Sequence, residues 1–189
     1  MNDRRGGHGV VPVQVRAATA TDLVGVAAIY TEGIRGRGAT FETRDRSADD
    51  VAAWLAGPHP FLVAVRAEDD ADALGWAHAS AYRARPCYAG IGDFSVYVAG
   101  RARGRRVGDA LLHAFLPACA AAGLWKLVSR IFPENAASRA LCARRGFREV
   151  GTYAKHAQLD GVWRDVVIVE RLLADNLGSS AAPVLPPHA

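Results

Sequence analysis

Between Gly92 and Leu112 the chain reads GDFSVYVAGRARGRRVGDALL, and few folds can accommodate that order. Asp93 to Val98 has the length and apolar character of a buried strand. It breaks at a basic, glycine-containing turn, Gly100 to Arg106, and an amphipathic helix starts at about Val107. Strand, basic turn and helix N-terminus in succession aim backbone N–H groups at whatever fills the turn, an arrangement suited to phosphate.

The turn alone does not identify the phosphate. A net charge of +4 suits nucleic acid, coenzyme A and small phosphorus-containing acids equally. Nucleic acid is the weakest of these readings, because the arginines lack interleaved aromatics on which bases could stack.

The rest of the chain frames this element. Its 189 residues, half of them apolar, can bury one good core. Val13 to Ala17 alternates as a short strand. Thr19 to Asp22 can cap a helix through Leu23, Val26, Ala27 and Tyr30, ending near Gly33, and Ser47 to Asp50 forms a capping box for a second helix through Trp54. Phe61 to Arg66 and Leu74 to Tyr82 read as antiparallel strands joined by the acidic turn EDDADA. After the central helix, which stops at Gly123, come a strand (Trp125 to Ile131), a helix ended by Gly146, and strands at Phe147 to Tyr153 and Trp163 to Leu172, the last two joined by a polar connection containing Asp160-Gly161. Early antiparallel pairs followed by β-α-β units predict an α/β chain with a mixed sheet and helices on both faces.

Residues 1–11 (Gly/Arg-rich) and 175–189 (Gly/Ser/Pro-rich) are expected to fray, leaving one domain over 12–174. No segment approaches the roughly 18 to 20 apolar residues a membrane span needs, and the arginines near the start lead into no apolar signal core. The odd count of three cysteines and the absence of a ligand spacing imply neither a disulfide framework nor a metal site, so a cytoplasmic location is the expectation.

A second block narrows the ligand. Asn135, Ser138, Leu141, Gly146 and Phe147 stand in the pattern N-x-x-S-x-x-L-x-x-x-x-G-F on the next β-α unit. Together with the basic turn it resembles the acetyl-CoA-binding core of the GCN5-related N-acetyltransferase superfamily. The stretches IYTEGI, ATFETR, AYRARPCYAG, DFSVYV, RIFPENAASRAL and LDGVWRDVVIVERLL resemble the phosphinothricin and arsinothricin N-acetyltransferases within it.

The resemblance covers about Val13 to Leu173. It implies a mostly antiparallel seven-stranded mixed sheet splayed at its centre, acetyl-CoA as cosubstrate, no metal, a homodimer, and a small anionic amino acid such as phosphinothricin, arsinothricin or methionine sulfoximine as acceptor. Carried over by position, Ser95, Tyr97 and above all the backbone of Val96 and Val98 would meet the pantetheine arm. Arg103, Gly104, Arg105, Arg106, Val107, Gly108 and Asp109 would cradle the pyrophosphate, and Asn135 and Ser138 would lie along the arm.

Asp93 is the candidate base, since an amine attacks a thioester only after losing its proton. Arg83 and Arg85, on one face at i and i+2, are candidates for the acceptor's acidic groups, and Phe41 and Tyr30 for its pocket walls. Several positions depart from the family pattern. Arg106 replaces a glycine, Asp93 a glutamate, Asp160 a histidine, and Cys142 stands where an acid tyrosine often does. The departures at Arg106, Asp93 and Cys142 leave an acyl-CoA-binding protein with little or no catalysis as the alternative, and that at Asp160 bears on the choice of acceptor. Cys142 reads as core, and His78, His113 and His156 as structural or surface residues, His156 lying in the late polar connection.

Overall fold

The computed structural model describes residues 13–177. The end segments expected to fray, 1–11 and most of 175–189, lie outside the described residues. The elements are β1 (Val13–Ala17), α1 (Leu23–Arg35), α2 (Ala48–Ala56), β2 (Phe61–Arg66), β3 (Asp69–Ala81), β4 (Ile91–Val98), α3 (Val107–Ala121), β5 (Lys126–Ile131), α4 (Ala136–Arg144), β6 (Arg148–Leu159) and β7 (Val162–Leu172). They form a seven-stranded sheet in the order β1-β2-β3-β4-β5-β7-β6, antiparallel except for β4 and β5. No described helix is long and apolar enough to cross a membrane.

Helices cover both faces, as the alternation of strands and helices predicts. Tyr30 of α1 and Trp54 of α2 pack on Trp76 of β3, with ring centroids 5.4 and 5.1 Å away. On the other face Phe115 of α3 lies against Phe94 of β4, and Leu111, Leu112 and Phe115 are fully buried. The Ser47 capping box forms as read: Ser47 Oγ accepts the Asp50 N–H at 3.3 Å and the Asp50 carboxylate accepts the Ser47 N–H at 2.8 Å.

Two loops of the sequence reading are strand instead. β3 already starts at Asp69, so the acidic run EDDADA is strand rather than turn from Asp69 on, with an irregularity between its paired residues Asp69 and Ala73. Arginines make this tolerable: Asp70 bonds Arg16, and Asp72 bonds Arg66 and Arg101. Likewise β6 runs on to Leu159, so His156 sits on a strand and the connection shrinks to Asp160-Gly161. Both turn residues have positive φ, 49° and 78°, as a tight two-residue hairpin requires. β6 is an edge strand of the sheet, almost wholly exposed, and such a strand can share the polar composition of a loop. Asn176, inside the segment expected to fray, donates to the carbonyls of Ala120 and Leu124 at 2.7 and 2.8 Å.

What positions the site is the seam between β4 and β5. β4 stays in register with β3 from Gly92 to Val98, but with β5 only through Ile91, Gly92 and Asp93. Beyond Asp93 the two parallel strands part, and the sheet opens into a fork.

Candidate active site

The fork leaves identifiable backbone groups free. Tyr82 N–H bonds Ile91 O and Ala99 N–H bonds Leu74 O, which sets the alternation along the β3–β4 pair. Asp93, Ser95 and Tyr97 therefore turn their N–H and C=O groups to β3, while Val96 and Val98 aim theirs at the side β5 has vacated. Val96 and Val98, the two residues whose backbone was expected to meet the arm, thus face the open side of the fork. Ser95 and Tyr97 offer only side chains.

Past β4 the basic turn is held from behind. Glu32 of α1 accepts the Gly100 N–H with both oxygens, at 2.8 and 3.0 Å, and pairs with Arg103 at 3.2 Å. Gly104 and Arg106 both take left-handed φ, 74° and 63°, so the chain curls and delivers α3 with its N-terminus facing inward. Among the described residues, no backbone amide from Gly104 to Asp109 donates to a protein acceptor. Such a row of open donors, backed by a helix dipole, is an anion cradle.

A cleft of about 830 Å³ runs from this cradle to the fork. Val96, Tyr97, Val98, Arg103, Gly104, Arg106, Val107, Gly108, Asp109, Asn135 and Ser138 all line it. A Cβ on Gly108 would come within 2.9 Å of Leu141 Cδ2, so glycine keeps the backbone accessible there. Arg105 is not brought to the cleft: it turns to the opposite side of the turn, with Arg66 and Arg101, around a separate hollow of about 220 Å³. Ser95 lines a smaller recess of about 70 Å³ in the fork, beside Arg130 and Cys142.

Several cleft residues also have structural duties. Asn135 caps α4, accepting the Ser138 N–H at 3.1 Å, and donates to Gly38 O at 3.1 Å, so it ties the α1–α2 connection to the far wall. Asp109 bonds Arg145, and that hydrogen bond holds its carboxyl below the usual carboxylate range. Its role is to join α3 to α4. Arg144, a further arginine at the mouth, and Gly36, Gly38 and Ala39 were not anticipated; the glycine spacing of IRGRGAT was the available signal for the last three.

At the fork itself Asp93 is half-buried and forms an ion pair with Arg130 of β5. The Ser80 hydroxyl donates to the Asp93 carbonyl at 3.4 Å. Farther along the same face, Phe41 meets Phe132 edge to face at 4.9 Å, with His156 6.4 Å from Phe41. Phe41 is half-buried there. Tyr30, on α1, lies 5.0 Å from the Tyr97 ring. Arg83 and Arg85 are exposed just beyond the end of β3, Arg83 lying 5.2 Å over the Tyr82 ring. Cys142 is buried, its thiol pushed up to about 11 by desolvation, so it is a protonated core residue at neutral pH.

A splayed β4–β5 seam with free strand amides, continuous with an arginine-rimmed cradle, defines an acyltransferase that draws on a coenzyme A thioester. The chain belongs to the Acetyltransferase (GNAT) family, whose model matches residues 20–147. It is 37% identical over 170 residues to a phosphinothricin N-acetyltransferase of Streptomyces coelicolor, covering 87% of this chain and 99% of that protein. It is 31% identical to an L-methionine sulfoximine/L-methionine sulfone acetyltransferase of Pseudomonas aeruginosa, over 82% of this chain and 92% of that one. A solved structure of a GNAT superfamily phosphinothricin acetyltransferase from Sinorhizobium meliloti in complex with AcCoA matches with a TM-score of 0.83 and 27% identity, over 93% of this chain and 96% of that one.

Proposed function

We propose that the protein moves an acetyl group from acetyl-CoA to the α-amino group of a small anionic amino acid of the phosphinothricin or methionine sulfoximine type. The observation that carries this reading is the place of Asp93. It is the last β4 residue in register with β5, at the point where the two strands part, and it pairs with Arg130 of β5. A carboxylate there can take the proton that an ammonium group must lose before it attacks.

The open groups of Val96 and Val98 hold the pantetheine arm, and the amides of Gly104 to Gly108 with Arg103, Arg106 and Arg144 hold the phosphates. The departing thiolate needs little protonation because free thiols have a pKa near about 8.5, which accords with a buried, unengaged Cys142. Arg83 and Arg85 take the acid at the far end of the acceptor. Self-association as a homodimer has the support of Val162, Trp163 and Tyr153, apolar and exposed on the β6–β7 hairpin, and the three free cysteines accord with a reducing cytoplasm. Acetylation of such acceptors would confer resistance to them.

The contact between Asp93 and Arg130 favours a second reading, an acyl-CoA-binding protein whose base is occupied. One assay separates the two. Thiol release is measured with acetyl-CoA and a panel of phosphinothricin, arsinothricin, methionine sulfoximine and ordinary amino acids. Acceleration by the anionic analogues is expected; acetyl-CoA binding with no acceleration by any amine would leave only the binding role.

A further inference from the structure

The Asp93–Arg130 pair has features of a recognition device as well as of a packing contact. Arg130 stands two residues beyond Val128, the residue opposite Asp93, so it shares Asp93's face of the sheet at the point where the fork opens. The contact is monodentate, from Arg130 Nη1 to one carboxylate oxygen, Oδ2. Among the described residues Asp93 Oδ1, Arg130 Nη2 and Arg130 Nε have no hydrogen-bond partner. Both side chains reach solvent, at 26% and 35% exposure.

The other cations on this part of the sheet are occupied. Lys126 and Arg148 both pair with Glu170. Arg164 pairs with Glu134 and lies 4.8 Å over the Phe132 ring. Among the described residues Arg130 is the one with an open edge next to the candidate base.

We propose that Arg130 binds the α-carboxylate of the acceptor while Asp93 receives its α-amino group, so that the pair reads the amino acid's own zwitterion. The inference rests on the acceptor class proposed above. An α-amino acid carries its cation and anion two bonds apart, and the pair presents the complementary anion and cation in contact. The free edge of the guanidinium can take both carboxylate oxygens, and the open Oδ1 takes an ammonium N–H. Net charge in the fork stays balanced on binding. An amine without the carboxylate gains only the Asp93 contact and leaves the Arg130 edge unpaired, which is how a site built for a polar group rejects an analogue lacking it. Arg83 and Arg85 are then left for the distal phosphinate, arsonate or sulfoximine end.

The test compares wild type with Arg130→Met and Arg130→Lys on two acceptors that differ only in the carboxylate, phosphinothricin and its decarboxylated amine. Initial rates are read as KM and kcat separately. Arg130→Met is expected to raise KM for the amino acid by about 10- to 100-fold, the loss of a charge-assisted hydrogen-bonded pair. KM for the amine should change by less than about 3-fold on the same scale. Arg130→Lys, which keeps the charge and loses the fork, should fall between. Equal losses for both acceptors, or a fall in kcat with KM unmoved, would mean that Arg130 only positions Asp93 and would overturn the proposal. An unchanged KM for acetyl-CoA shows that the variants are folded; if Arg130→Met fails this check, Arg130→Lys carries the comparison alone. Wild type using both acceptors equally well overturns the role of Arg130 and leaves N-acetylation standing. Wild type using neither removes the acceptor class, and this inference with it.

Discussion

A Cβ on Gly33 would lie 2.6 Å from Cε1 and 2.7 Å from Cδ1 of Tyr97. The ring has little room to yield: it stacks on Trp76 at 4.7 Å, meets Tyr30 at 5.0 Å, and its hydroxyl donates to Ala39 O at 3.4 Å. Two effects oppose each other in Gly33→Ala. Alanine is favoured over glycine inside a helix by about 1 kcal/mol, whereas overpacking a filled site costs about 1–3 kcal/mol. Because three neighbours fix the ring, the clash should win. The variant is expected to melt about 2–8 °C lower, the shift that a net loss of about 1–2 kcal/mol produces in a chain of this size, and to bind acetyl-CoA more weakly because Tyr97 lines the cleft. A higher melting temperature would show that the ring gives way.

Arg106 combines a left-handed backbone, φ 63°, with a side chain that is 87% exposed at the cleft mouth. A non-glycine residue in that conformation costs about 1–2 kcal/mol, and glycine returns part of this through its freer unfolded chain. Arg106→Gly is therefore expected to raise the melting temperature by about 1–4 °C. The same change removes a cation from the phosphate end, so KM for acetyl-CoA should rise and depend less steeply on salt than in wild type. Stability and cosubstrate affinity moving together, in either direction, would contradict this division of roles.

Local signals made most of the architecture legible. Ser47 with Asp50, Gly123 and Gly146 marked helix ends, and the break from Val98 into Gly100–Arg106 marked the cradle. The errors arose where a feature depends on partners distant in sequence. Asp69 to Asp72 read as a turn because nothing local shows that Arg16 neutralises Asp70 and that Arg66 and Arg101 neutralise Asp72. His156 read as loop because an exposed edge strand and a loop share a composition. In the site, the main-chain role of Val96 and Val98 follows from strand alternation, but Arg105 and Arg106 are adjacent and only the left-handed turn sends one of them away from the cleft. The pairing of Arg130 with Asp93 was illegible because it forms across the fork between residues 37 apart in sequence.

His78 introduces a pH dependence outside the site. It lies flat against Trp54, with ring centroids 4.6 Å apart and planes within 8°, beside Phe61. Burial, with a smaller contribution from His59, lowers its pKa to about 4. The unfolded value is near about 6.5, so the folded chain resists a proton that the unfolded chain accepts. The stabilisation is present in full above about pH 6.5 and is lost as pH falls toward 4. Melting temperature should therefore decline across that window, before the paired carboxylates titrate. In His78→Phe, which keeps the stack on Trp54, the decline should flatten; an unaltered slope would assign it to other groups.

Asp93→Asn tests the chemistry most directly. The substitution keeps the shape and leaves the cradle and the Val96 and Val98 backbone untouched, so KM for acetyl-CoA should stay within about 3-fold of wild type, a change of well under 1 kcal/mol. Loss of a general base should lower kcat by about 100-fold or more. Raising the pH should recover part of that loss, because solvent then removes the ammonium proton that Asp93 no longer takes. Asp93→Glu extends the carboxylate by one methylene toward the acceptor, and it should retain a base-dependent pH profile where Asp93→Asn does not. If Asp93→Asn keeps its kcat at neutral pH, the proton leaves by another route and Asp93 serves only to hold Arg130.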